Sequence, residues 1–450
     1  MVLGTESIGK LLMQYSLPAI VAMTASSLYN MIDSIFIGQG VGPLAISGLA
    51  LTFPLMNLTA AFGSLVGVGA ATLVSVKLGQ KDYAGANRVL GNVVLLNLVI
   101  GIALGVICYV LLDPILYFFG ASEDTLQYAR DYMVVILIGN VITHLYFGLN
   151  AVLRSSGFPQ VAMYTTLSSV IINCGLNAVF IFYWGWGIRG AAWATIFSQI
   201  IGLVIQLSYF SKPTSYLHFK KEIFRFKREI VEGILAIGLS PFFMNLCACL
   251  IVILINKGLK THGGDMAIGA YGIVNRVAFL FVMIIMGLNQ GMQPIAGYNF
   301  GARQYNRVTS VLKYTIVCAV GIATLGFLIC ELLPSHIASL FTKDDGLIRL
   351  SAGGLRIVML MFPLVGFQMV ATNFFQSIGM AKKAIFLSLT RQLLFLVPGL
   401  LLLPAFFGAK GVWASMPLAD FLATIVSGIV LYNQFAKFKR MHAERIKENQ

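Results

Sequence analysis

Residues 233–256, GILAIGLSPFFMNLCACLIVILIN, carry no ionisable side chain except the thiols of Cys247 and Cys249. At about 1.5 Å of rise per residue, this run is long enough to cross a hydrocarbon layer of about 30 Å as one helix. A water-soluble domain has few places to hide such a segment. The rest of the chain is of the same kind: 450 residues, 58% hydrophobic and only 11% charged, with a mean hydropathy of +0.85. Soluble domains carry about 25% charged residues. In lipid each backbone amide must find its partner within the protein, so long apolar runs read as helices. The expected fold class is an all-α polytopic membrane protein.

Hydropathy divides the chain into twelve spans, near 11–38, 44–77, 89–112, 127–151, 160–184, 190–211, 233–257, 267–297, 308–333, 350–377, 383–406 and 411–436. Cations alternate between them. Of the 31 Lys and Arg, 21 lie in the N-terminus, the loops after even-numbered spans, and the tail. Six (Arg189, Lys257, Lys260, Lys343, Arg349 and Lys410) lie on the other side, and Arg130, Arg276, Arg356 and Arg391 fall at or inside span ends. The positive-inside rule then predicts both termini in the cytoplasm. The formal net charge of +14 is thereby a topology signal: it implies anionic membrane lipids as partners and no nucleic acid. The first apolar segment is long, lacks a small-residue cleavage site and reads as a span rather than a signal peptide.

Sliding the sequence against itself until Ala45 meets Ala267 places AISGLA (45–50) on AIGAYG (267–272) and LGQKDYAGANRVL (78–90) on FGARQYNRVTSVL (300–312). The same offset places SSGFPQVA (155–162) on SIGMAKKA (377–384), and a shift of one sets GIRGAA (187–192) on GAKGVW (408–413). Six spans per repeat is an even number, so both halves enter the membrane the same way, as a parallel repeat. The expected organisation is an N-terminal lobe at 1–210, a cytoplasmic linker at 211–232, a C-terminal lobe at 233–436 and a basic tail at 437–450. The linker, with Phe219, Ile223, Phe224 and Phe226 among its cations, reads as a short amphipathic helix on the membrane surface. Two such lobes suit alternating access better than a fixed pore.

Enzyme chemistry finds no support. There is no Gly-x4-Gly-Lys-Ser/Thr run to cradle a nucleotide, so energy has to come from an ion or substrate gradient. The six cysteines all fall in spans, without metal-site spacing, and read as small core hydrophobes. No cofactor and no structural metal are expected. The glycines of GSLVGVGAA (63–71) sit inside an apolar span and read as close-packing positions.

Against this background, ionisable groups well inside spans stand out: Asp33, His144, Arg276, Arg356, Arg391 and Asp420. A carboxylate at a helix centre costs roughly 2.5–3.5 kcal/mol on insertion scales, and such residues are functional candidates by default. Tyr29 is one turn before Asp33 and places a phenol within reach of the carboxylate. Pro18 in the same span removes a helix hydrogen bond and favours a kink. Asn173 and Asn177, four apart in span 5, share a face, and Thr195 at the start of span 6 can join them. Amide and hydroxyl oxygens with one carboxylate suit either a protonated acid or a dehydrated Na⁺. Ordinary interhelical hydrogen bonding is an equally good reading for Asn173, Asn177 and Thr195. Asp420 with Arg391 or Arg356 reads as a structural ion pair first and a coupling site second; His144 reads as a hydrogen-bonded core group before a proton site.

These residues carry a resemblance. Asp33 in a first span followed by GQGVGPLAISG, KLGQKDYAGA after the second span, INCGLNAVFIFYWGWGIRGAAWAT across spans 5 and 6, and GLNQGMQPIAGYNFGARQY after span 8 together resemble the multidrug and toxic compound extrusion (MATE) family over nearly the full length. With GAKGVWASMPLADF at 408–421, the chain looks most like the MepA-like bacterial branch. The resemblance implies a V-shaped pair of six-helix lobes, working as a monomer in a bacterial plasma membrane, the inner one if Gram-negative. It implies export of amphipathic or cationic organic compounds in exchange for H⁺ or Na⁺. Asp33 matches the family's coupling acid, Asn173, Asn177 and Thr195 its site partners, and Pro18 its first-helix proline. The chain departs from many relatives at Asn177, where they carry a second acid, and span 7 offers Asn245 and no acid. A lipid-linked oligosaccharide flippase of the same superfamily is the alternative, which twelve spans and few buried cations count against.

Overall fold

The computed structural model of the chain describes residues 2–448, the side chains of Asp265 and Glu448 apart. Residue 1 of the expected N-terminal lobe and residues 449–450 of the expected tail lie outside the described residues. Helices dominate, and no β-strand occurs among the described residues. Ten helices are long and apolar enough to span a membrane: Ile8–Gly40 (span 1), Pro43–Gly79 (span 2), Tyr83–Val110 (span 3), Pro159–Tyr183 (span 5), Ile188–Phe210 (span 6), Arg228–Gly264 (span 7), Met266–Gly301 (span 8), Tyr305–Leu332 (span 9), Ala381–Phe407 (span 11) and Ala409–Lys447 (span 12). Two bent pairs complete the twelve. Glu123–Ile138 with Asn140–Ser155 makes span 4, bent by 57°, and Asp345–Met359 with Phe362–Ser377 makes span 10, bent by 50°. The chain is therefore the expected all-helical polytopic protein of two six-span repeats.

Local chemistry starts several of these helices. Asp82 accepts the Gly85 N–H at 2.8 Å ahead of span 3, and Asp344 accepts the Leu347 N–H at 2.8 Å ahead of span 10. Ser122 and Thr125 form a capping box ahead of span 4. Each satisfies an amide that the first helical turn leaves without a partner.

The backbone repeats at the same offset as the sequence. Lys81 and Arg303, equivalent under that offset, are the non-glycine residues with positive φ among the described residues, at 60° and 56°. Such a conformation costs energy without glycine, so its recurrence marks two loops built alike. Gly42 and Gly264, then Gly157 and Gly379, pair at the same offset, and Gly187 pairs with Gly408 one residue short of it. The short helices Leu112–Phe118 and Pro334–Ser339 begin at equivalent positions as well.

By contact the chain forms two compact units, one of Met1–Ile20 with Phe243–Gln450, the other of Val21–Phe242. The changeover points lie inside spans 1 and 7, at positions equivalent in the two repeats, and each closely follows a proline, Pro18 or Pro241. Within the first unit, the position of a Cβ on Gly291 is occupied by Ser16, and that on Gly287 by Ile20. Within the second, Gly69 lies against the Ile234 carbonyl and Gly238 against that of Leu65. Small residues here let helix backbones approach closely.

The linker corrects an expectation. Its last residues, 228–232, already belong to the helix of span 7; before them the one helical turn is the 3-10 segment Lys221–Ile223, and no amphipathic helix forms. Ile223 and Leu217 are buried instead, and Phe224 and Phe226 stay exposed. The segment forms turns and bends rather than a helix because side chains from span 3 take its backbone groups: Asn87 bonds Tyr216 and His218, and Asn92 bonds Arg225 and Lys227. An amide that accepts and donates in this way competes directly with helical hydrogen bonding.

Candidate coupling site

Asp33 sits in the Val21–Phe242 unit and is 5% exposed. Span 1 supplies the acid, span 5 the amides and span 6 a hydroxyl. Asn177 Nδ2 donates to Asp33 Oδ1 at 2.6 Å and to Asn173 Oδ1 at 2.8 Å. Asn173 Nδ2 in turn donates to Thr195 Oγ1 at 3.4 Å, and Thr195 Oγ1 donates to the Ala191 carbonyl at 3.1 Å. Since the Thr195 hydrogen is used there, the 2.7 Å contact between Tyr29 and Thr195 is read with the phenol donating. Four residues expected from sequence alone to converge are thus joined to the acid in one network.

Tyr29 is placed differently from expectation. It shares a helix face with Asp33 but bonds Thr195, not the carboxylate. Cβ atoms one helical turn apart are only about 5–6 Å from each other, and a phenol oxygen reaches past a neighbour that close, onto the next helix. The network closes through span 6 as a result.

Two features are electrostatic. Among the described residues, no Lys, Arg or His forms an ion pair with Asp33. The buried Asn177 Oδ1 accepts no hydrogen bond. A buried carboxylate with one amide donor and no counter-charge is costly by several kcal/mol while ionised. A buried amide oxygen without a donor adds a further unmet acceptor. Both deficits have the sign that a cation relieves. The oxygens of Asp33, Asn177, Asn173 and Thr195 are hard donors suited to Na⁺, and a proton on Asp33 removes the charge outright.

The immediate surroundings are shaped to hold this set. The α-helix of span 5 ends at Asn177, and a π-helical turn, Ala178–Tyr183, follows directly. Single π turns inside helices recur at functional sites because they redirect side chains. Ile181 and Phe182 of that turn pack on Gly40, and Phe36 and Phe182 have ring centroids 5.7 Å apart. Tyr132 of span 4, buried, lies within electrostatic reach of both Asp33 and Tyr29. Nothing in its sequence neighbourhood singles it out; it sits in Glu123–Ile138, ahead of the bend in span 4.

The other candidates lie elsewhere. Asp420 pairs with Arg391 through Nε at 2.6 Å, and Arg356 is exposed. Arg391 belongs to the second π-helical segment, Thr390–Leu396. His144 is buried near Gly63, and its Nδ1 has no partner. Pro18 precedes Asp33 by fifteen residues on span 1, about 22 Å along a helix. All six cysteines are free, and no cluster of metal-ligating residues occurs among the described residues.

Comparison with known proteins agrees with this architecture. A family model described as MatE matches residues 18–179 and 236–401. The multidrug export protein MepA of Staphylococcus haemolyticus (strain JCSC1435) is 30% identical over 428 residues, covering 95% of this chain and 94% of the relative. MepA of Staphylococcus aureus (strain N315) is 27% identical over 427 residues, covering 94% and 93%. Among solved structures, the MATE multidrug transporter DinF-BH, solved as a complex, superposes with a TM-score of 0.88 at 36% identity, covering 96% of both chains. A MATE crystal structure in a bent conformation superposes with a TM-score of 0.93 at 25% identity, covering 98% of both.

Proposed function

Because the chain belongs to the multidrug and toxic compound extrusion family, multi-pass membrane transporters rather than enzymes, we propose that it exports amphipathic or cationic organic compounds in exchange for H⁺ or Na⁺, coupled through Asp33. The observation that carries this reading is the buried Asp33 carboxylate, held by one amide and no basic side chain. Such a group is stabilised by a cation on it, and a cationic drug competes with that cation electrostatically without having to touch the same atoms. The names of the relatives, multidrug export proteins, support the substrate class, and the flippase alternative is not favoured.

The cycle follows from these charges. With the site open to the cytoplasm, drug enters while Asp33 is ionised. With it open to the outside, a proton or Na⁺ from outside settles among Asp33, Asn177, Asn173 and Thr195, and Tyr29 follows through Thr195. Span 1, which Pro18 leaves short of one backbone hydrogen bond, changes its course, and drug leaves. Asp420 with Arg391 is a structural pair in this scheme, and His144 a core group. The protein works as a monomer in the plasma membrane of a bacterium, the inner membrane if Gram-negative, with cytoplasmic termini. The six-span repeats act as lobes at 1–210 and 233–436, joined by the cytoplasmic linker at 211–232.

Ethidium efflux from proteoliposomes tests this, under a pH gradient and then a Na⁺ gradient. Efflux should accelerate under one of them in the wild type and under neither in Asp33→Asn. An Asp33→Asn protein that keeps the wild-type response moves coupling away from Asp33.

A further inference from the structure

The segment leading into span 1 is held by its own main chain. The Leu3 carbonyl accepts from Asn299 Nδ2 at 3.0 Å and from Arg307 Nη2 at 3.1 Å, and the Glu6 carbonyl accepts from Arg307 Nη2 at 2.6 Å. Arg307 Nε completes the set on Asn299 Oδ1 at 2.9 Å. Leu3 itself is buried at 1% exposure. A guanidinium that binds only neutral acceptors is an unusual use of a fork suited to carboxylates.

A second clasp holds the leader of span 7, at the repeat counterpart of Leu3 but through side chains that are not themselves repeat counterparts. The carbonyl of Arg225, the repeat counterpart of Leu3, accepts from Asn92 Nδ2 at 3.2 Å, and Asn92 Oδ1 accepts the Lys227 N–H at 3.1 Å. Asn87 holds Tyr216 and His218 in the same way. The Ile223 carbonyl fills the place of a Cβ on Gly91. In both cases the clasping side chains come from the other repeat: Asn299 and Arg307 hold the leader of span 1, and Asn87 and Asn92 hold that of span 7.

Just past each leader the helices themselves close up, Ser16 and Ile20 on Gly291 and Gly287, Ile234 and Leu65 on Gly69 and Gly238. Close backbone approach therefore follows each clasped leader at the same place in the two repeats.

We propose that Asn299 with Arg307, and Asn87 with Asn92, are paired latches that hold the leader ends of spans 1 and 7 shut and release in each transport cycle. The inference rests on the alternating-access reading above, since a site that opens to both sides in turn has to open this end. Main-chain carbonyls suit the task. Their bonds are individually modest and re-form with water on release, so a latch made of them opens without stranding a charge.

The test locks one latch. A Cβ at Gly4 lies 3.0 Å from the Tyr298 ring, which has to yield by a few tenths of an ångström, and 3.7 Å from Gln304 Oε1, so Gly4→Cys with Gln304→Cys can be bridged by a short, reducible thiol crosslinker. Ethidium counterflow without any ion gradient should fall at least tenfold on bridging and recover on reduction, with either single variant unaffected. Bridged protein that keeps the unbridged rate overturns the latch. As an independent readout, Leu3→Cys should react with a water-soluble maleimide several-fold faster during turnover than at rest. In an added Arg307→Ala background it should be fast at rest. A rate that neither turnover nor Arg307→Ala changes also contradicts the proposal. Neither readout uses an ion gradient, so an error in assigning coupling to Asp33 leaves both intact.

Discussion

Asn177, the last α-helical residue of span 5, donates to both Asp33 and Asn173, and its own carbonyl oxygen is left without a partner. One amide thereby ties the acid of span 1 to the polar face of span 5. The imbalance in its bonding has the sign that a cation would relieve.

Asn177→Leu removes that tie while keeping the branching of the side chain, at some gain in volume. A lost hydrogen bond to a charged group is worth about 1.5–3 kcal/mol, so ion-driven ethidium efflux per folded protein should fall about 10- to 100-fold. Efflux measured in proteoliposomes with matched protein content checks this. A variant within twofold of wild type would show that Asp33 needs no amide donor.

The Arg391–Asp420 pair, with Asp420 side-chain exposure of 5%, is expected to act on stability and not on coupling. Removing one partner strands a buried charge, at a cost of about 3–5 kcal/mol, whereas replacing both with apolar residues is near neutral. Asp420→Leu alone should therefore lower the unfolding temperature in detergent markedly, and Asp420→Leu with Arg391→Leu should restore most of it. Restored stability with lost ion coupling would give the pair a functional role instead.

Glycines distinguish close helix approach from mere tolerance. A Cβ at Gly69 falls on the Ile234 carbonyl, and one at Gly272 meets nothing within 4 Å. Overpacking of this sort costs about 1–3 kcal/mol, so Gly69→Ala should lower thermal stability in detergent. Gly272→Ala should leave it unchanged or raise it slightly, since alanine is the better helix former. Equal effects at both positions would contradict the packing described for spans 2 and 7.

Much of this was legible in the sequence because two of its signals are local. Apolar run length gives spans, and the four-residue spacing of Asn173 and Asn177 gives a shared face. The repeat was visible for a third reason: loops such as the one at Lys81 and the one at Arg303 need the same unusual backbone, so their sequences stay alike. What spacing does not convey is distance between helices. Tyr29 could be put on the Asp33 face but not shown to bridge to Thr195, and Tyr132 arrives from a different span. The linker misled for a related reason. Its alternating aromatics and cations match an amphipathic helix, but its backbone partners are Asn87 and Asn92, far earlier in the chain.

The pH dependence of one loop follows from Asp82, which lies outside the spans. The Gly85 N–H, and after it the nearby Lys77, hold its carboxyl below the ordinary value. A depressed acid contributes stability above its unfolded pKa of about 3.9, and that contribution disappears as pH falls through the folded value. Asp82→Ala should cost about 1 kcal/mol near neutral pH, as the loss of a helix cap does. Thermal unfolding of both proteins at pH 7 and near pH 3 should show the gap narrowing in acid. A gap that persists undiminished would mean that the cap does not depend on the charge.

The central claim is that drug and coupling cation oppose each other through Asp33. Its most direct test is the ethidium affinity of the purified protein, titrated against pH and separately against Na⁺, for wild type and Asp33→Asn. Wild-type affinity should weaken as the coupling cation rises, by tenfold or more across the titration, while Asp33→Asn should bind ethidium with an affinity that neither cation changes. The same cation dependence in both proteins would contradict it.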